Sequence, residues 1–248
     1  MDKLLYVSMS GAKETLRAQA ANNHNLANVS TTGFKADLSA FQSRAVSGPG
    51  YASRVYATDD TVGWDSSQGA QQATGNPLDL SVNGSGFIAV QDVTGQEAYT
   101  RAGDLHVDPN GQLLTATGLQ VMGDNGPISV PPYNSISVGK DGSVTIVPKG
   151  QTAQTVSVVG RIKLVNPPTD QVTRGADGLF HSTSPDPVAA DAATTVTPGT
   201  LEASNVNIAS SMVNMIQLAR QFDMQIKSLH NADQNAQSTT KLLQSSSG

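Results

Sequence analysis

The chain from residue 201 to its end contains no proline, and its apolar residues recur at alternating steps of four and three positions. This spacing keeps one line of side chains on a single helical face, as in a coiled coil. A long C-terminal helix is therefore predicted, with Asn205 or Asn207 available to cap its first turn. We call this line the C-terminal seam; its members are Ile208, Met212, Met215, Ala219, Phe222, Ile226, Leu229, Asp233, Ala236, Thr240 and Leu243.

The N-terminal segment carries a similar line, the N-terminal seam, which becomes polar towards its end. It predicts a second helix, which Gly33 is expected to stop because glycine adopts left-handed geometry at little cost. Since both chain ends carry a seam, the helices are expected to pair with each other, with equivalent helices of neighbouring copies, or with both. The members of the N-terminal seam are Leu5, Met9, Ala12, Leu16, Gln19, Asn23 and Leu26.

Short apolar alternations separated by turns fill the middle of the chain from Leu78 onward. The turn sequences at 108–111 and 140–142 contain Asn-Gly and Asp-Gly, which tolerate the positive φ of hairpin turns. Strands at such short spacing favour an antiparallel barrel or sandwich over a parallel α/β sheet.

The predicted fold class is α+β: two terminal helices form a coiled-coil domain, and the centre forms an antiparallel β-rich, barrel-like or sandwich-like domain. Glycine-rich and proline-rich segments between them are predicted to be linkers. The predicted boundaries are an N-terminal helix at 1–32, an extended linker with possible short strands at 33–77, a β-rich domain at 78–181, a return linker at 182–204 and a C-terminal helix at 205–248.

Charge and cysteine content exclude several classes of function. The net charge is −5 and charged residues make up 14% of the chain, which excludes a strongly basic nucleic-acid binder. The absence of cysteine excludes disulfides, cysteine-bound zinc and thiol nucleophiles. No segment approaches the roughly 20 apolar residues of a membrane span. The N-terminus lacks the apolar run of a secretory signal peptide, so we expect a cytoplasmic protein or export by an unconventional route.

No arrangement of catalytic or metal-binding residues is recognisable. The 4 histidines form no metal-binding pair. The Gly-Ser-Gly at 84–86 lacks the third glycine and the helix of a dinucleotide-binding turn. We therefore predict that the protein is not an enzyme and has no catalytic residues, cofactor or metal.

Four asparagines, Asn22, Asn23, Asn25 and Asn28, cluster near the end of the N-terminal helix. Asparagine does not favour helices intrinsically. The cluster indicates either a frayed helix end or amides that hydrogen-bond across a multi-helix contact, where they would fix its register.

The C-terminal seam requires a partner surface. Burying its large apolar side chains at roughly 1.5–3 kcal/mol each would contribute on the order of 10 kcal/mol. The β-rich domain is expected to be closed by its own strands, and the N-terminal helix supplies few apolar residues. We therefore expect neighbouring chains to provide the rest of the partner surface. Each helix alone would be only marginally stable in water.

Three segments resemble the family of flagellar rod, hook and hook-associated proteins. ANNHNLANVSTTGFKA at 21–36 is similar to the family's N-terminal signature, and LEASNVNIASSMVNMIQLARQFDMQIKSL at 201–229 to its C-terminal signature. GNPLDLSVNGSGFIAVQ at 75–91 and AYTRAGDLHVDPNGQLLTATGLQVMG at 98–123 resemble its shared β domain. The length and the short 34–75 segment resemble the proximal-rod type more than the distal-rod type. Thr32 departs from the proline that is frequent there.

The resemblance implies a structural subunit of the proximal rod of the bacterial flagellar basal body. Its terminal helices would pair into a coiled coil facing the export channel, and subunits would polymerise into the helical shaft that transmits torque. Implied partners are other copies, other proximal and distal rod proteins and, transiently, the flagellar type III export apparatus, with no nucleic acid and no membrane insertion. The implied location is the periplasmic basal body, reached without a cleavable signal peptide. A distal-rod protein or a cell-wall-binding β module is the alternative.

The predicted assembly interface combines both helices with the segments beside them. We expect the C-terminal helix to drive association and the N-terminal helix to set its register. The predicted interface residues are Leu5, Met9, Leu16, Asn22, Asn23, Asn25, Leu26, Asn28, Gly33, Phe34, Asn205, Ile208, Met212, Met215, Ala219, Phe222, Ile226 and Leu229.

Overall fold

The computed structural model describes residues 3–45, 55–151, 155–184 and 186–245. They belong to two compact units, which are described separately. Unit 1 spans 1–27, 37–63 and 207–248, and unit 2 spans 28–36 and 64–206.

Unit 1 contains two helices and a two-stranded sheet. Helix α1 covers Lys3–Ala27 and helix α2 covers Ile208–Ser245. Strands β1, Asp37–Ala45, and β2, Val55–Trp64, pair with each other. The segment predicted as an extended linker with possible short strands therefore holds two strands of 9 and 10 residues. The two helices agree with the prediction, because uninterrupted apolar periodicity without proline favours helix.

The ends of the helices follow local rules. Asn207 caps α2, because its Oδ1 accepts a hydrogen bond from the Ser210 N–H at 3.0 Å. Gly33 has the predicted left-handed geometry, with φ of +68°. It does not end α1, however, since that helix stops at Ala27 and Gly33 lies in the following segment of unit 2.

Unit 2 is built from short strands joined by tight turns, as predicted from the alternating pattern. Its described strands are β3 Gln71–Ala73, β4 Leu80–Val82, β5 Phe87–Gln91, β6 Glu97–Thr100, β7 Leu105–Val107, β8 Leu113–Thr115, β9 Gln120–Gly123, β10 Gly126–Pro127, β11 Tyr133–Val138, β12 Ser143–Pro148, β13 Ser157–Arg161, β14 Leu164–Val165, β15 Val172–Arg174, β16 Phe180–Ser182, β17 Val196–Pro198 and β18 Thr200–Glu202. A 3₁₀ helix covers Thr169–Gln171.

A nine-stranded sheet forms the main layer of unit 2. Its order is β15-β16-β6-β5-β9-β8-β7, with β10 paired to β9 and β14 paired to β5. Strands β11, β12 and β13 form a second antiparallel sheet. The two predicted turns lie in hairpins β7–β8 and β11–β12, where Gly111 and Gly142 both have φ of +83°. The return segment contributes β17 and β18, which pair with β4 and β3.

Two apolar clusters form the core of unit 2. The larger one lies among the strands and is centred on fully buried side chains such as Leu80, Ile88 and Leu113. The smaller one contains Phe87 and Phe180, whose ring centroids lie 5.0 Å apart. The only tryptophan of the sequence, Trp64, packs edge-on against Phe180 at 4.9 Å.

The prediction of a coiled-coil domain is wrong. A coiled coil buries the large apolar residues of each seam between the helices. Helices α1 and α2 do pack together, but Met9, Leu16 and Met212 are 53%, 49% and 52% exposed. The spacing of these apolar residues shows only that they share one side of a helix. It does not show that this side contacts the other helix.

The side chains that are most completely buried on the two helices are small or polar. On α1 the buried residues include Ser8, Ala12, Thr15 and Ala18, and on α2 they include Ser211 and Ala232. All of these residues except Ala12, which is itself a seam residue, lie one position before a seam residue, so the most buried faces are rotated away from the predicted seams.

Candidate assembly interface

Helices α1 and α2 run antiparallel in unit 1. The hydroxyls of Ser8 and Ser228 are 3.2 Å apart, whereas Asn22 Nδ2 donates to the Ser211 carbonyl oxygen at 2.9 Å. Residue numbers therefore increase along α1 in the direction in which they decrease along α2.

Large apolar side chains remain exposed on both helices. On α1, Tyr6 is 52% exposed, and Met9 and Leu16 are similarly exposed. On α2 the exposed residues are concentrated in the first turns, with Met224 further along. We call the whole set the exposed apolar residues: Tyr6, Met9, Leu16, Ile208, Met212, Val213, Ile216 and Met224.

The predicted interface residues on the first part of α1 are mostly accessible. Met9, Leu16 and Asn23 are exposed, and Leu26 is half-buried. The side chain of Leu5 lies outside the described residues. This part of α1 therefore offers apolar side chains and one amide to a partner.

Two of the clustered asparagines hydrogen-bond within unit 1. Asn22 reaches across the helix pair to Ser211, as described above. Asn25 donates to the carbonyl oxygen of Asp37 at 2.9 Å and accepts from its N–H at 2.8 Å. These amides fix α1 against α2 and against the start of β1. Their proposed role in register between chains stays a prediction.

The predicted interface residues on α2 divide by exposure. Ile208, Met212 and Ala219 are exposed, whereas four further residues are half-buried. The half-buried residues are Met215, Phe222, Ile226 and Leu229. One side of the C-terminal seam thus remains accessible.

Four predicted interface residues lie in unit 2. The contacts described for them are with other residues of this chain. Asn28 accepts a hydrogen bond from a threonine hydroxyl three residues later, at 3.1 Å. Phe34 is buried under the guanidinium of Arg174, which lies 4.4 Å from its ring centroid. Gly33 is also buried, and Asn205 accepts from the N–H of residue 36 at 2.7 Å.

Sequence reasoning missed a cluster of three buried charged residues in unit 2, Lys35, Arg101 and Glu202, which we call the chain-end clamp. Lys35 is 0% exposed, and the other two are 1% exposed. Glu202 Oε1 accepts from Lys35 Nζ at 2.7 Å, and Glu202 Oε2 accepts from Arg101 Nη2 and Nε at 2.7 and 2.8 Å. One carboxylate thus neutralises only part of two buried positive charges.

Main-chain carbonyl oxygens accept further hydrogen bonds from Lys35 and Arg101 of the chain-end clamp. Lys35 Nζ donates to Ser67 O at 2.6 Å, and Arg101 Nη1 donates to Gly84 O and Gly86 O at 2.9 and 2.7 Å. Burial lowers the pKa of Lys35 below its ordinary value, the hydrogen bond with Glu202 opposes this, and the Arg101 charge adds to the lowering. Breaking a cluster of this kind is expected to be costly because it leaves a charge buried without its partner.

The position of Lys35 and Glu202 in the sequence was the signal that could have found the clamp. Charged residues are scarce in this chain, and these two occur in the segments that flank α1 and α2. Their separation by 167 positions hid the pairing.

Metal-binding clusters and membrane-spanning helices are absent from the described residues. In the described part of the chain, no group of three or more His, Cys, Asp or Glu side chains is placed to hold a metal ion. Neither of the described helices is long and apolar enough to cross a membrane. The aromatic rings of Phe87, Tyr99 and Phe180 are buried, which leaves them unavailable for stacking on a sugar.

Three family models match the chain in order. They describe a flagella basal body rod protein at residues 5–35, the D1 domain of the flagellar hook protein FlgE/F/G at 81–146, and the C-terminal part of the flagellar basal body rod FlgEFG protein at 197–242. Together they cover nearly all of α1, much of the β-rich centre and most of α2.

Curated relatives align over almost the whole chain. The flagellar basal-body rod protein FlgF of Escherichia coli K12 is 41% identical over 249 residues, covering 98% of this chain and 99% of that protein. FlgF of Salmonella typhimurium is 39% identical with the same coverage. The flagellar basal-body rod protein FlgG of Buchnera aphidicola from Schizaphis graminum is 33% identical over 278 residues, covering 96% of this chain and 98% of that protein.

Proposed function

The chain belongs to the flagellar basal-body rod protein family, and on that premise we propose that it polymerises with other rod subunits through the helix pair of unit 1. It is a structural subunit of the FlgF type and not an enzyme. The observation that carries the proposal is the set of exposed apolar residues on α1 and α2. Each is about half exposed in the isolated chain, and burying them against neighbours would contribute roughly 1 kcal/mol or more apiece.

Family membership supports assembly with other flagellar rod and hook proteins in the basal body. We propose that the partners are further copies of this chain and the other proximal and distal rod proteins. A contact between different surfaces of successive subunits produces a helical filament when its rotation does not close. Such a filament would enclose the export channel and transmit torque as part of the proximal rod.

The two helices would contribute differently to this assembly. Of the exposed apolar residues, Tyr6, Met9 and Leu16 lie on α1 and the rest on α2, which supports a larger driving force from α2. The exposed Asn23 is placed to hydrogen-bond a neighbouring chain and so to fix register. We propose that the helices face the export channel inside the rod. This location is inferred from the family resemblance and not from the way α1 and α2 pack.

We further propose that the protein reaches the periplasm through the flagellar type III export apparatus. The absence of cysteine suits a chain that passes unfolded into an oxidising compartment. Blocking that apparatus should keep the full-length protein in the cytoplasm, whereas delivery that continues under the block would exclude this route.

Locating the subunit tests the proposed function directly. A tagged full-length chain, expressed in a motile bacterium that lacks its own proximal rod subunit, should restore swimming. Gold label on the tag should then lie at the proximal end of the rod in purified basal bodies. Label at the distal end would favour a FlgG-like position, which the identities support less well, and basal bodies without label would contradict rod assembly.

A further inference from the structure

The segment that follows α1 and the segment that precedes α2 are bonded to each other inside unit 2. Gly33 N donates to Glu202 O at 2.8 Å, and Asn205 N donates to Phe34 O at 3.3 Å. Residue numbers rise together along the two segments, so they run parallel. We call their contact the junction; the two segments are 33–36 and 202–205.

Buried side chains reinforce the junction. Lys35 Nζ and Glu202 Oε1 are 2.7 Å apart, and the two side chains are 0% and 1% exposed. A third segment is bound to both sides, because Lys35 Nζ and Asn205 Nδ2 donate to the same Ser67 carbonyl oxygen at 2.6 and 3.1 Å. Pulling the junction apart is therefore costly, since it separates buried charges from their partners.

The parallel direction determines how the junction responds to tension on the chain. From Gly33 the chain leads back towards α1, and from Asn205 it leads on towards α2. Tension on these two exits therefore draws the parallel segments past each other in opposite directions. In this shear geometry the hydrogen bonds and the ion pair are stretched together, so they have to break together.

The strand pairs behind the junction are antiparallel and respond differently. β18 pairs with β3 in the register Glu202↔Gln71, and β17 pairs with β4 in the register Pro198↔Leu80. In each pair these residues lie at the end that is nearest the junction along the chain. Tension that arrives along the chain from both sides would therefore open the strands one residue pair at a time. The junction comes before them and meets the tension first.

We propose that the junction is a mechanical lock, which keeps unit 2 folded when the chain is pulled through its two ends. Tension crosses the junction directly and does not reach the antiparallel strands behind it. In a rod whose subunits are anchored through their helices, torque would load each chain at these two exits. That purpose rests on the proposed function, whereas the resistance is a property of unit 2 and does not depend on whether the helices are paired.

Constant-force measurements on single full-length chains test the lock. The natural chain contains no cysteine, so Ser30→Cys with Ser210→Cys gives two unique attachment points at exposed serines on either side of the junction. Helix α1 and almost all of α2 then lie outside the stretched part of the chain. Unit 2 should unfold in one step of roughly 60 nm, at about 3.5 Å for each of roughly 180 residues. Lengthening in several shorter steps would show that the strands open without resistance from the junction, and would overturn the proposal.

A variant of the chain-end clamp tests the contribution of the buried ion pair. Lys35→Met removes that pair from the junction and leaves Arg101 and Glu202 as a balanced pair, which favours survival of unit 2. At the same force, the lifetime of folded unit 2 should fall at least about tenfold. The matched control is Lys163→Met, which removes a 2.8 Å ion pair with Glu97 outside the junction. It should change the lifetime by less than about twofold.

A second pair of attachment points separates mechanical resistance from general stability. Val93→Cys and Lys149→Cys lie in exposed turns, and the chain between them contains neither segment of the junction. Pulled through these points, Lys35→Met should keep nearly the natural lifetime. An equal loss in both pulling directions would mean that Lys35 contributes only general stability, and would overturn the proposal.

The step size of the natural sequence decides the question even where Lys35→Met fails to fold. Because single chains are pulled outside any rod, failure of the lock and failure of rod assembly are separate results.

Discussion

Gly33 is the residue at which backbone geometry and packing restrict the side chain most. Its φ of +68° disfavours any residue with a Cβ, and a Cβ built there would collide with the main chain of Arg101. Main-chain atoms cannot rotate away as a side chain can. The segment that carries Lys35 into the clamp therefore depends on this glycine.

Replacing Gly33 with alanine should destabilise unit 2 by more than about 3 kcal/mol, because conformational strain adds to the collision. The matched control is Gly75→Ala, since Gly75 has φ of +76° but no atom within 4 Å of the added Cβ. It should cost only about 1–2 kcal/mol. Urea unfolding followed by Trp64 emission measures both. Equal losses would mean that the close approach to Arg101 is unimportant.

Asp104 is a carboxyl group that the fold disfavours in its charged form. Burial raises its pKa above the ordinary value, and the charge of Asp79, which lies opposite across an isolated β-bridge, raises it further. Its Oδ1 has no hydrogen-bond partner among the described residues. Because the folded-state pKa is raised, the protonated group stabilises unit 2 at low pH, and this contribution is lost as pH rises from about 3.8 through the folded-state pKa.

Asp104→Asn should therefore raise the melting temperature at pH 7 by roughly 1–3 °C, a small change because the site is partly solvated. The difference should disappear as pH falls below 4. Asp108→Asn is the contrasting variant, because the Gln112 N–H lowers the pKa of Asp108 and stabilises its charged form. It should lower the melting temperature at pH 7. A melting temperature for Asp104→Asn that is unchanged at pH 7 would contradict the account.

At the residue scale, the turn residues were predictable and the clamp was not. Asn-Gly and Asp-Gly act through their own backbone conformations, which one sequence displays directly. Lys35, Arg101 and Glu202 act through partners far away in the chain, and no local pattern indicates them.

The two helices illustrate what periodicity can and cannot predict. It predicted both helices, because a repeat of three and four positions belongs to helical geometry. It assigned the wrong faces to the contact between the two helices, because a line of apolar residues is buried only where another part of the protein covers it. The most completely buried residues of the helices are small or polar, whereas Met215 and Phe222 of the predicted seam are half-buried.

The N-terminal cap of α2 can be tested at the same scale. Asn207→Ala should destabilise the helix by about 1 kcal/mol, because it removes the acceptor for the Ser210 N–H. Asn214→Ala, at an exposed position inside the helix, should instead stabilise it slightly. Ellipticity at 222 nm in a thermal melt distinguishes the two. The cap would be unimportant if both variants melted alike.

The segments predicted as a linker with possible short strands and as a return linker both contain strands, and pairing across the chain determines their structure. Strand β18 pairs with β3, and β17 with β4, in each case between residues more than a hundred positions apart. Glycine and proline content carries no information about which distant strand lies alongside.

At the scale of the whole molecule, the two units differ in how they bury apolar side chains. The β-rich unit 2 buries them in its own core, whereas the helical unit 1 leaves several of them exposed. Unit 2 buries its aromatic and aliphatic side chains in two clusters. Unit 1 leaves Met212 and Ile216 more than half exposed. Under the proposed function, neighbouring rod subunits would cover this surface.

Incorporation of full-length variants into the rod tests this central claim most directly. Met212→Glu with Ile216→Glu places charges on α2 without disturbing any buried group. Val93→Glu is the control, since Val93 is an apolar residue of unit 2 that is 92% exposed. In a bacterium lacking its own proximal rod subunit, we predict that the α2 variant is absent from purified basal bodies and leaves the cells non-motile, while the Val93 variant assembles normally. Normal assembly of the α2 variant would contradict the account.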